Sequence, residues 1–300
     1  MASQDRRAII SAGRLYCDLV FTGLQAMPRL GAEVFASDMQ PVLGGGAFIA
    51  AAHIAAHGRP VALLSRFGTD PLSLALEGQF AESGVDLRFV ERRADAGPQV
   101  TVVMAHASDR AFLSRRAGAA LPHDYAKALA WERACHLHIA EFATLVDYPD
   151  LVAEAKASGL SVSLDPSWDE SLIRRTDLLA ACAGVDVFLP NAEEALAITG
   201  TDRVEAALEA LAGQFPLVAV KRGPDGAMLA QGSARFAKAA PVVKVIDTTG
   251  AGDAFNAGLL DAWLDGRAAE ACLDAAIAAG SLSVQAAGGT AALAGRRGAA

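Results

Sequence analysis

Long apolar runs are missing from this 300-residue sequence, although 53% of it is hydrophobic. No uninterrupted stretch approaches the roughly 18 residues that a membrane-spanning helix needs, so no membrane partner is expected. Cysteine is scarce. Cys17, Cys135, Cys182 and Cys272 lie far apart with no CxxC pair, which excludes a disulfide framework and a thiolate metal site and fits a reducing cytoplasm. Positive charge is also short, with 26 Lys and Arg against 34 Asp and Glu and a formal net charge of -8. The densest basic stretch, residues 110–116, is brief and reads as solvated surface, so nucleic acid is not an expected partner. His53 and His57 stand at helical spacing, but HExxH is absent and a zinc site is not supported. No GxxxxGK[ST] string occurs, which excludes a P-loop ATPase. The opening MASQDRRAII leads into only a short apolar run and lacks the form of a signal peptide.

What is present is an alternation of short apolar runs with amphipathic, Ala-rich segments. Strands are predicted at 8–13, 61–67, 136–140, 161–165, 185–190 and 217–222, and helices at 48–57, 72–83, 125–131, 148–158 and 204–211. That order predicts an α/β three-layer sandwich, a mostly parallel central sheet with helices on both faces. Ligands of such sheets sit beyond the carboxyl ends of the strands. Two regions, about 14–40 and 87–116, break the alternation and read as extended segments building a small β-sheet lid. No repeat, low-complexity tract or long linker divides the chain, so residues 1–300 are expected to form one domain. His136 and His138 flank Leu137 in a predicted strand and so share a face.

The stretch with most chemistry is DTTGAGDAFN at 247–256, followed by the apolar AGLLDAWL. Gly250, Ala251 and Gly252 are small enough for a ligand to approach the backbone. They stand where a helix begins, with N–H groups free to hold an anion. Asp253 follows in the first turn, placed to take a proton from an attacking hydroxyl. An ordinary glycine turn with an Asp favoured by the helix dipole is the other reading of the same residues.

The whole DTTGAGD string resembles the C-terminal signature of the ribokinase-like (PfkB) carbohydrate kinases, and other segments resemble that family in the right order from about residue 8 to 289. The resemblance implies an ATP-dependent phosphotransferase acting on a hydroxyl of a sugar-like molecule, with Asp253 as base. Asp18 in GRLYCD matches a substrate-hydroxyl ligand, and Gly44, Gly45 and Gly46 match the double-glycine motif lining the sugar site. FGTD at 67–70 matches a strand-end turn. Asn191 and Glu194 in PNAEE stand at the N-x-x-E positions that support magnesium and phosphate through water. Lys221, Gly223 and Gly226 in KRGPDG look like the nucleotide-side turn, joined by Thr248, and residues 275–289 resemble the segment flanking the adenine. Asp247 and Thr249 offer oxygen ligands for a monovalent cation such as K+, as the resemblance implies for some members. Bland readings stand beside these. Asn191 and Glu194 also spell a capping box, the glycines a turn, and Asp18 a turn residue.

The sequence departs from the family where Asn usually binds sugar. Tyr16 and Ile49 occupy those two places, which puts the acceptor in question rather than the phosphate machinery. LDPSWDE resembles the family's D-x-N-x-R stretch with Ser167 and Asp169 at the Asn and Arg places, leaving Asp165 either to face phosphates or to cap a turn. Two alternatives follow. One is a nucleoside kinase of the same fold, with Tyr16, Phe48 and Phe112 offering aromatic faces for a base. The other is a ligand sensor that has lost catalysis. A homodimer through the lid is a further implication of the resemblance.

Overall fold

The computed structural model describes residues 6–106 and 110–293. Residues 1–5 and 294–300 of the expected domain, and 107–109 of the segment 87–116 read as extended, lie outside them. The large sheet runs in the order β13-β12-β11-β10-β9-β8-β1-β4-β5 and the small sheet in the order β3-β2-β6-β7. Their strands are β1 (Ala8–Ala12), β2 (Tyr16–Leu24), β3 (Asp38–Gly44), β4 (Val61–Phe67), β5 (Asp86–Arg92), β6 (Val100–His106) and β7 (Arg110–Arg115). They continue as β8 (Ala134–Ile139), β9 (Ser161–Leu164), β10 (Val187–Phe188), β11 (Leu217–Lys221), β12 (Ala227–Gln231) and β13 (Ala234–Lys238). From β5 to β11 every pairing of the large sheet is parallel, and β12 and β13 add an antiparallel edge.

Parallel strands buried on both faces need apolar residues on both. β1 supplies them by alternation: Ile10 and Ala12 enter one core, Ile9 the other. The first core is closed by the helices Leu151–Ala157, Ala192–Thr199 and Val204–Ala212, and the second by Gly46–Ala56, Ala251–Leu264 and Ala269–Ser283. The expected three-layer sandwich is thus the observed one. Among the described residues no helix is long and apolar enough to cross a membrane.

The differences are local. The predicted helix 72–83 is two, Pro71–Ala75 and Glu77–Ser83, the first capped by Asp70 of FGTD. The strand expected at 185–190 shrinks to Val187–Phe188, since Pro190 has no N–H for a ladder. Asp86–Arg92 is an edge strand of the large sheet, pairing with β4, so the lid segment expected from 87 begins only at β6. Its residues hold no helical period, and a ninth strand and a lid strand look alike in sequence.

Candidate active site

The alternation that fills the first core aims polar side chains the other way. Leu137, Ile139, Val162, Leu164, Val218 and Val220 belong to the first core. His138, Ser163, Asp165 and Lys221, at the intervening positions, therefore face the helices Gly46–Ala56 and Ala251–Leu264. At the strand ends Lys221 Nζ donates to Asp165 Oδ2 at 2.5 Å, and Asn256 Nδ2 donates to the same oxygen at 2.6 Å. Nζ also reaches Asn256 Oδ1 at 3.5 Å. The ammonium lies beside the glycine loop, because a Cβ on Gly252 would sit 3.5 Å from it. Burial alone would lower the Lys221 pKa, but Asp165, Glu194 and Asp253 outweigh it and hold the group charged.

Gly250 is the N-cap of the helix Ala251–Leu264 in the left-handed conformation, φ 73°. A Cβ there would fall 2.7 Å from Gly289 Cα. Of the N–H groups expected to hold an anion, that of Ala251 turns back to the Thr248 carbonyl at 3.3 Å. Gly252 and Asp253 follow at positions that have no intrahelical acceptor. Thr248 itself is exposed. Asp253 is partly buried, and a Cβ on Gly46 would come 2.8 Å from its Oδ1. Burial, with the charge of Asp165, pushes its pKa up to about 7 against the pull of Lys221.

Asp18 sits within β2, opposite Val42, and is not a turn residue. Gly44 leaves room for its carboxylate, and Gly45, at φ 94°, lies against the Arg14 carbonyl. Burial raises Asp18 to about 7, opposed by its hydrogen bond to Thr101 and aided by Asp253 and Asp247. The double-glycine segment thus brings Asp18 and Asp253 into one space. Tyr16, opposite Gly44, is hydrogen-bonded to the Arg116 guanidinium, whose Nη1 pairs with Asp169 Oδ2 at 2.6 Å. Ile49 is buried, its side chain packed against Gly250 and Gly289, where it supports the loop. Phe48, offered as an aromatic face, is core, edge-on to Phe80 at 5.5 Å.

Asn191 and Glu194 do form the capping box: Glu194 N donates to Asn191 Oδ1 at 2.8 Å, and Asn191 N to Glu194 Oε2 at 2.7 Å. Glu194 is buried near Asp165, and both effects hold its pKa well above the usual carboxylate range. Asp165, Glu194 and Asp253 against one Lys221 leave negative charge in excess, which suits a divalent cation shared with phosphate oxygens. Among the described residues no three His, Cys, Asp or Glu stand close enough to cage a metal by themselves. Asp247 Oδ1 accepts from Thr249 N and Oγ1, and its Oδ2 accepts from Gly288 N at 2.8 Å, tying residues 275–289 to the motif. Gly223 and Gly226, both at positive φ, turn the chain from β11 into β12 just past Lys221.

Three contributors escape sequence reading. His53 donates through Nε2 to the Gly289 carbonyl at 2.9 Å, fixing the loop under Gly250. Glu141, held by Arg14 at 2.8 Å, stands just past β8 with its charge felt by Tyr16. Its place one residue beyond a predicted strand end is the signal that could have found it. The Lys221–Asp165–Asn256 cluster joins residues 91 positions apart at most, and only the sheet order brings them together.

Known proteins resemble this chain in sequence and in fold. The chain is 36% identical over 127 residues to the cytidine kinase of Thermococcus kodakarensis, covering 41% of this chain and 46% of that protein. It is 27% identical over 285 residues to the ATP-dependent ribose-1-phosphate kinase of Halopiger xanaduensis, 92% of this chain and 91% of that one. Its fold superposes with a TM-score of 0.77 on fructokinase from Vibrio cholerae O395, solved with fructose, ADP and calcium, at 24% identity and with 97% and 96% of the two chains covered. The sequence pattern of the pfkB family carbohydrate kinases matches residues 19–294. The chain belongs to the pfkB family of carbohydrate kinases.

Proposed function

We propose that this protein transfers the γ-phosphoryl group of ATP to a hydroxyl of a sugar or sugar-like acceptor, with Asp253 as the base. The observation that carries the reading is the meeting of Asp253 with Gly46 from one side and with Lys221 and the Gly250 cap from the other. The acceptor lies between Asp18, Gly44 and Asp253. Asp18 accepts from a neighbouring hydroxyl and orients the reacting one. Asp253 accepts the proton of the attacking oxygen, and a pKa near neutrality suits that task. The N–H groups of Gly252 and Asp253, with the Lys221 ammonium, stabilise charge on the transferred group. When bound, ATP with magnesium supplies an in-line phosphoryl donor whose charge the metal shares. Asn191 and Glu194 would hold that metal through its waters.

The small sheet is the lid, closing over the acceptor and excluding water. Its exposed Phe35, Met39 and Leu113 suit pairing of two lids in a homodimer, which sedimentation would detect. The four free cysteines suit a cytoplasmic workplace. Asp247 and Thr249 form a K+ site; equal activity in potassium and in a bulky organic cation would refute that.

A nucleoside acceptor is the second reading, favoured by the cytidine kinase relative. The decisive test is a coupled ADP-release assay over sugars, sugar acids, sugar phosphates and nucleosides with magnesium and potassium present. Turnover with a sugar-like acceptor is expected. Turnover with nucleosides alone would select the second reading, and ATP binding without any turnover would point to a sensor.

A further inference from the structure

Below the strand ends, a buried polar row runs along β8 and β9 that the chemistry above does not use. His136 Nδ1 lies 2.7 Å from Ser161 Oγ, His136 Nε2 2.7 Å from Ser163 Oγ, and His138 Nδ1 2.9 Å from the same Ser163 Oγ. Both rings and Ser163 are fully buried, and Trp263 of the covering helix packs edge-on against His136 at 5.7 Å. At the foot of the row Ser161 Oγ donates to the Cys135 carbonyl at 3.2 Å.

Proton counting gives the row a direction. Each hydroxyl has one hydrogen, and a neutral imidazole has one N–H. Ser161 spends its hydrogen on the carbonyl, so it accepts from His136 Nδ1–H. His136 Nε2 is then bare and takes the Ser163 hydrogen. Ser163 has none left and accepts from His138 Nδ1–H. His138 Nε2 is left a bare acceptor, and it is the one ring nitrogen of this row without a partner although it is sealed from solvent. The reverse direction would lose the Ser161–Cys135 bond. Burial keeps both rings neutral, pushing His138 down to about 4. Asp165 lies two residues beyond Ser163, just past the end of β9, and the charges of Asp165 and Lys221 both reach His138.

We propose that His138 is a positioning residue for the Lys221–Asp165–Asn256 cluster, its oriented Nε2 lone pair binding an ordered water that also bonds the cluster. The inference rests on the kinase reading, because the cluster acts on ATP through Lys221 beside the glycine loop. A buried acceptor set by a fixed tautomer can hold such a water in one orientation, and so hold the ammonium in one place.

Imidazole 15N spectra of the wild-type protein at neutral pH test the direction of the row. His136 and His138 are both expected as Nδ1–H tautomers with bare Nε2; an N–H on His138 Nε2 would overturn the proposal. Calorimetry with ATP and magnesium tests the role. His138→Leu should weaken ATP binding about tenfold, the size of one lost hydrogen bond to a charged group. Binding of the acceptor should stay unchanged. Ser163→Ala, which keeps the ring but frees its tautomer, should give a smaller loss and covers the case in which His138→Leu does not fold. Normal ATP affinity in folded variants sinks this inference alone. A wild-type protein that binds no ATP sinks the kinase reading together with it.

Discussion

Asp253 and Glu194 carry the predictions that single residues allow. Asp253→Asn should lower turnover by about 10²–10⁴-fold, the range of a lost general base, and largely spare ATP binding. The free-enzyme profile of kcat/KM should show an acid limb near pH 7, where the Asp253 carboxyl ionises. Near-normal turnover in the Asn variant would remove Asp253 from the role of base. The same substitution should stabilise the fold at alkaline pH. Between about pH 4 and the raised folded value the folded protein keeps a proton that the unfolded chain has released, so stability falls as pH rises through that window. Asn removes that cost, on the order of 1–3 kcal/mol after allowing for partial exposure. Melting curves at pH 8 should show the gain and curves at pH 4 should not. Glu194→Gln separates cap from metal site: Gln still serves a capping box, so stability at about pH 4, below the raised Glu194 value, should change by less than about 0.5 kcal/mol. The magnesium requirement of turnover should nevertheless rise severalfold, and an unchanged requirement would reduce Glu194 to a cap.

At the scale of elements, the loops before the helices Gly46–Ala56 and Ala251–Leu264 are built for close approach. Gly46→Ala would push a methyl group to 2.8 Å from Asp253 Oδ1, and only to 3.3 Å from Ala140 Cβ. Turnover should fall at least about tenfold with little change in melting temperature, because the strain falls on the reacting carboxylate. Gly250→Ala should do the opposite share of damage. The left-handed cap costs about 1–2 kcal/mol with any Cβ, and contact with Gly289 adds to it, so both stability and ATP binding should drop. Equal thermal stability in the two variants would contradict this account of the loops.

For the whole molecule, ATP and magnesium should act on stability by mass action. Saturation at about a hundredfold over Kd adds about 2.7 kcal/mol, or roughly 4 °C for a chain of 300 residues. Thermal shift should show that gain with magnesium and a smaller one without it, since excess carboxylate charge then meets phosphate unrelieved. An equal shift in both conditions would argue against a metal shared between Glu194 and the phosphates.

What the sequence by itself determined was local, apart from bounds such as the split of 72–83 into two helices. Strand and helix periods, the glycine-to-Asp253 turn, the Asn191–Glu194 cap and the absence of a P-loop depend on residues a few positions apart, and a short, mostly apolar run such as 61–67 forms the strand Val61–Phe67 with the bounds read from it. Tertiary structure alone decided which faces meet. Ile49 and Phe48 share the helix Gly46–Ala56 and are both buried, but Ile49 meets the Gly250 loop while Phe48 meets Phe80. Asp86–Arg92 became a large-sheet edge because β4 offered it a parallel partner, which no local pattern announces. The Lys221–Asp165–Asn256 cluster and the His136–Ser163–His138 row come from three separate strands and a helix laid side by side. Their chemistry depends on strand order and on which face each alternate residue meets, and those are properties of the folded sheet rather than of any segment.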